Sequence, residues 1–96
     1  MIATFYMLSE TVQRDISEPE FFDTFEAARE EMLSRLRITL DAPEDISEQA
    51  LLELAETRDG DIMESEAYCT NRNHDDCDWK IHEIHLPLTI EGKLIP

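Results

Sequence analysis

Thr24-Phe25-Glu26-Ala27-Ala28-Arg29-Glu30-Glu31-Met32-Leu33-Ser34-Arg35-Leu36 decides the fold of this 96-residue chain. Phe25, Ala28, Met32 and Leu36 fall at steps of three and four with Leu33 beside them, the spacing of a helix that buries one stripe against a sheet. Thr24 stands where an N-cap side chain belongs. Glu26, Arg29, Glu30, Glu31 and Arg35 fall mostly on the opposite side, so that side faces water.

Working outward, Ile2 to Leu8 is rich in β-branched and aromatic residues, and both of its alternating sets are largely apolar. That pattern predicts a central strand buried on two sides. Ser9 to Glu20 reads as a polar loop broken by Pro19, with a short edge strand near Ile16. Downstream, Arg37 to Asp45 is ambiguous, because Ile38-Thr39-Leu40 has β character while Asp41-Ala42-Pro43 stops or starts an element. A second helix is predicted from about Ser47 to Thr57 with Ala50, Leu51, Leu54 and Ala55 on one face, and Arg58-Asp59-Gly60-Asp61 closes it as a turn.

Ile62 to Thr70 and Asp78 to Leu86 read as two strands around the polar segment Asn71 to Cys77, an antiparallel hairpin with a long tip. Trp79 and Ile81 point one way and His82, Ile84 and Leu86 the other, which predicts either a bulge that switches the core face or burial on both sides. Leu88 to Ile95 reads as a small terminal hairpin or as an arm that pairs with another copy, leaving a homodimer open. The expected fold is a single α+β domain, two helices on one face of a small mainly antiparallel sheet in the order β-α-α-β-β. Extra short strands are allowed near 16–22 and 88–95. The uncovered face and the sheet edges are where a partner would dock.

Charge then narrows the function. The chain carries 23 Asp and Glu against 8 Lys and Arg, a formal net charge of −15. Duplex DNA carries one negative charge per roughly 1.7 Å, so fifteen charges equal about 25 Å of duplex. A compact domain of this length is ~30 Å across by the usual scaling of size with length. The two linear charge densities are similar. Direct binding to nucleic acid or to an anionic membrane is disfavoured, and a basic protein partner is favoured. The chain shows no secretory leader pattern and no apolar run of membrane-spanning length, so a cytoplasmic protein with reduced cysteines is expected.

Catalytic signatures are missing: the sequence holds no phosphate-cradling glycine loop, no nucleophile elbow and no H-E-x-x-H, so an enzyme is not expected. Metal chemistry has one candidate. Cys69, His74, Cys77, His82 and His85 include every cysteine and histidine of the chain. Two thiolates and two imidazoles from Cys69, His74, Cys77 and His82 would suit tetrahedral zinc, although the spacing is not that of a zinc knuckle. His82 and His85 differ in parity, so a regular strand puts them on opposite faces. A disulfide between Cys69 and Cys77 is sterically allowed if they face each other across the hairpin.

The acids offer the larger candidate site. Asp41, Glu44, Asp45 and Glu48 lead into the second helix, Glu53 and Glu56 continue on its solvent side, and Asp59 and Asp61 follow in the turn. Glu64 and Glu66 are expected on one face of the next strand, about 7 Å apart, near the spacing of successive phosphates. Asp75, Asp76 and Asp78 belong to the hairpin tip. Acids at a helix N-terminus are favoured without any partner, which accounts for Asp41 to Glu48 but not for Glu64, Glu66 or the tip.

In size, charge and lack of a catalytic signature the chain resembles the small acidic proteins of phages and mobile elements that imitate nucleic acid, among them anti-restriction and anti-CRISPR inhibitors. The resemblance is one of composition and is carried by no particular motif. It implies a stoichiometric inhibitor whose acids occupy the Arg and Lys sites of a basic nucleic-acid-binding protein. The alternatives are a zinc-stabilised interaction module and a regulatory domain that is acidic for solubility alone.

Overall fold

The computed structural model describes residues 2–87. The elements run β1 (Ile2–Val12), β2 (Asp15–Ile16), β3 (Glu20–Phe22), α1 (Phe25–Thr39), α2 (Glu48–Glu56), β4 (Asp61–Ile62), β5 (Glu66–Thr70) and β6 (Asp76–Pro87). The strands form one six-stranded antiparallel sheet ordered β2-β1-β6-β5-β4, with β3 also paired to β1. Both helices pack on one face. The fold is therefore α+β as expected, with short strands in the 16–22 region; the expected strand near 88–95 lies outside the described residues.

β1 and β6 form the backbone of the sheet, paired without interruption from Ile2 opposite Pro87 to Val12 opposite Cys77. Alternation along this ladder sorts every side chain to one face. Tyr6, Leu8, Glu10 and Val12 of β1 face the helices together with Cys77, Trp79 and Ile81 of β6 and Ala67 and Cys69 of β5. Ala28, Met32 and Leu36 of α1, Leu40 just beyond it, and Leu51 and Ala55 of α2 complete the buried cluster. Trp79, Leu8, Met32, Leu36 and Leu51 are the largest fully buried side chains.

Thr24 caps α1 as expected, its Oγ1 accepting from the Ala27 N–H at 3.1 Å, and Ser47 caps α2 in the same way from Ala50. The ambiguous segment Arg37 to Asp45 resolves as helix as far as Thr39 and as turn and loop beyond it. Leu40 extends the stripe of Met32 and Leu36 by one more turn and is buried, and that gain outweighs the weak β preference of Ile38 and Thr39. Asp41 then ends the helix in the left-handed region at φ 55°, with the Ala42 N–H donating to the Arg37 carbonyl, a Schellman-type stop.

Three strand expectations are corrected. β1 does not stop at Leu8 but continues to Val12, where Gln13 and Arg14, both at positive φ, make a two-residue hairpin turn into β2. No helix covers Ala3, Phe5 and Met7 among the described residues, so β1 is not buried on two sides: its one fully buried residue, Leu8, faces the helices, and Ala3, Phe5 and Met7 are half-buried. β6 has no bulge and no switch of core face. Trp79 and Ile81 point to the helices and His82, Ile84 and Leu86 to the open side throughout. The long β1/β6 ribbon makes the molecule elongated, with extents of 49 × 28 × 17 Å and a radius of gyration of 15.4 Å, above the ~12 Å of a compact domain of this length.

Candidate functional site

The open face of the sheet has two halves. Register places Ala3, Phe5, Met7, Phe21, Ile84 and Leu86 at one end, and Asp61, Glu66, Tyr68, Asp76 and Asp78 at the other. In the acidic half Tyr68 sits directly between Asp61 and Asp78 on neighbouring strands, and Glu66 lies opposite Lys80. Neighbours across strands are ~4.8 Å apart and same-face neighbours along a strand ~7 Å apart. Asp59, Glu66, Asp76 and Asp78 line a shallow depression of about 350 Å³ with Tyr68, Thr70 and Lys80. Lys80 is the one cation among its described lining residues.

The thirteen acids singled out from sequence do not form a single surface. Asp59, Asp61, Glu66, Asp76 and Asp78 gather at the acidic end of the open face. Glu44, Asp45, Glu53 and Glu56 are exposed on the helical layer, on the other side of the molecule. Glu64 departs from expectation because β5 begins only at Glu66. It lies in the bend before β5, where its carbonyl accepts from Arg29 Nε at 3.0 Å, so it shares no strand face with Glu66.

Four of the thirteen have side chains engaged in structure, Asp61 through its Oδ1, which accepts from the Ile62 N–H at 2.8 Å. Glu48 pairs with Arg29 at 2.5 Å, Asp41 pairs with Arg72, and Asp75 accepts from Asn71 Nδ2 at 3.2 Å and from Gln13. The arginine hydrogen bond to Glu48 holds its carboxyl below the usual carboxylate range. Elsewhere Arg35 bridges Glu20 at 2.7 Å and Glu31 at 3.1 Å, tying α1 to β3. Among the described residues, arginine ion pairs thus take up four carboxylates, and none of these belongs to the acidic half of the open face.

The proposed zinc set is not brought together. Cys69 and Cys77 are direct register partners on the helix-covered face, both buried, whereas His82 is exposed on the open face with its Nε2 3.3 Å from Ser9 Oγ. His74 sits exposed at the hairpin tip with φ 64°. Among the described residues no group of three or more His, Cys, Asp or Glu side chains is placed to hold a metal ion. Both cysteines are free thiols. Burial, with Cys77 beside it, pushes the Cys69 thiol up to about 11, and burial with Asp75, Glu10 and Asp76 raises Cys77. His85 lies on the opposite face from His82, as parity requires, with its Nδ1 3.1 Å from Thr4 Oγ1.

Sequence reasoning passed over Tyr68 and Lys80, which the acids surround, and Glu10, which the core uses. The signal for Tyr68 was its parity with Glu66 on a strand whose other residues, Ala67 and Cys69, are small and core-like. Among the described residues no helix is long and apolar enough to cross a membrane. Comparison of the chain with known protein families, with characterised proteins and with solved structures finds no match.

Proposed function

We propose that this protein acts by occupancy, presenting the acidic half of its open sheet face to the basic site of a nucleic-acid-binding protein or nuclease complex in the cytoplasm. The observation that supports this reading is the placement of Asp61, Glu66, Asp76 and Asp78 on the strands of one sheet face, beside Asp59, free of arginine ion pairs among the described residues. Strand register holds the positions of these carboxylates before any partner arrives, which lowers the ordering cost of binding. Each accepts charge-assisted hydrogen bonds from guanidinium or ammonium groups that otherwise hold phosphates, and Tyr68 between Asp61 and Asp78 offers an arginine a ring to stack on. Inhibition of this kind consumes no inhibitor and needs no catalytic group.

The test is capture on the immobilised full chain from a bacterial extract, eluted by a salt gradient or by duplex DNA. The reading expects basic nucleic-acid-handling proteins, released early in the gradient and displaced by DNA, because exposed charge pairs are screened by salt. Recovery of only neutral or acidic proteins whose binding ignores both eluents contradicts it.

A further inference from the structure

The apolar end of the open face is the other unexplained surface. Register joins Phe5 to Ile84, Ala3 to Leu86 and Met7 to Phe21. Phe21 is 61% exposed, although it sits on a strand among apolar neighbours. Among the described strand residues this end of the face carries no acid: Ile2 to Ser9 has none, and Glu83 of β6 and Glu20 of β3 both point to the other face.

We propose that this end of the sheet packs against the same surface of a second copy of the chain. Two molecules of net charge −15 repel, so a self-interface is tolerable only where neither surface carries negative charge; the described strand residues of this end meet that condition, His82 opposite Met7 being their one ionisable side chain. A two-fold axis through the patch sets Phe5, Phe21 and Ile84 of one copy against those of its mate, as an isologous interface requires. An axis running across the strands sends the two acidic halves in opposite directions along the 49 Å length of each molecule, which lowers their repulsion and leaves both accessible.

The patch is three strands wide and about seven residues long, roughly 14 by 23 Å. That is below the ~800 Å² per partner of a standard interface, so association is concentration-dependent rather than obligate. The inference does not depend on the proposed function, and salt separates the two. Raising ionic strength screens the repulsion between copies and strengthens self-association, whereas it weakens capture of a basic partner.

Sedimentation equilibrium of the full chain from micromolar to millimolar concentration, at low and high salt, tests it. The expected result is a mass rising toward twice that of the chain, more steeply at high salt. Phe21→Glu and Leu86→Glu should return the mass to that of one chain, with Trp79 fluorescence and thermal unfolding showing a folded protein. Ile38→Glu, at an exposed position on the helical layer, should leave self-association unchanged. A single-chain mass throughout, or self-association indifferent to Phe21→Glu and Leu86→Glu, overturns the proposal.

Discussion

Trp79 donates its indole N–H to Glu10 Oε1 at 2.7 Å, directly across the β1/β6 ladder, and Ser17 Oγ donates to the other carboxylate oxygen at 3.2 Å. The tryptophan is fully buried, so its N–H would otherwise have no solvent to meet. A carboxylate on the core face of a strand thus completes the core.

Glu10→Ala leaves that donor unpaired and should cost about 1–3 kcal/mol in urea unfolding followed by the single tryptophan. Glu10→Gln keeps an acceptor within reach and should cost clearly less. Equal stability of the two variants would show that the bond does not matter.

Arg29 ties three elements: it donates to the Glu64 carbonyl at 3.0 Å, to the Met63 carbonyl at 3.5 Å and to Glu48 at 2.5 Å. Arg29→Lys cannot reproduce that fork and should destabilise nearly as much as Arg29→Ala. Glu48→Gln should cost less than about 1 kcal/mol, since Glu48 is half exposed. The folded pKa of Glu48 is depressed, so its contribution is present above the usual carboxylate range and fades as pH falls through it. Urea midpoints of the three variants across pH 3 to about 7 check both the ranking and the sign.

Gly60 has no room for a side chain. An added Cβ would lie 2.9 Å from Cys69 Cβ, 3.0 Å from the Ala55 carbonyl oxygen and nearer still to that of Tyr68. Gly60→Ala therefore forces apart the turn that joins α2 to the sheet and should cost about 1–3 kcal/mol, read by thermal unfolding. A variant as stable as the parent would mean the turn can widen freely.

The two thiols should be slow to alkylate in the native protein and fast in urea, because both are buried and their pKa values raised. For Cys69 the folded value of about 11 lies above the ordinary 9.0. The folded state therefore holds this proton more tightly than the unfolded chain. Its contribution to stability is full below about pH 9 and is lost as pH rises toward 11. Cys69→Ala should flatten that part of the pH–stability curve; an unchanged slope would assign it to other groups.

How much of this was legible in the sequence follows from which signals were local. α1 was readable because Phe25, Ala28, Met32 and Leu36 repeat at helical spacing after a capping Thr24, and α2 was readable from Ser47 for the same reason. The extension of β1 to Val12 was hidden, since Ser9, Glu10 and Thr11 look like loop until Trp79 and the β6 ladder supply their partners. The break between Ile62 and Glu66 was hidden too, because its bend is held by Arg29 from thirty-odd residues away. Of the acidic site, the face shared by Asp76 and Asp78 was hidden, because both read as part of the hairpin tip until Thr70 and Tyr68 of β5 supply their partners and start β6 at Asp76. Which acids would stand unpaired was hidden too, because ion pairs such as Arg72 with Asp41 depend on tertiary placement.

The central claim is that the acids of the open sheet face, and not acidity in general, recognise a basic partner. Capture from extract by Asp61→Asn/Glu66→Gln/Asp76→Asn/Asp78→Asn is to be compared with capture by Glu44→Gln/Asp45→Asn/Glu53→Gln/Glu56→Gln, which removes the same number of charges from the helical layer. The account predicts that the first variant loses the basic, DNA-displaceable proteins while the second retains them. Equal loss in both, or loss only in the second, would contradict it.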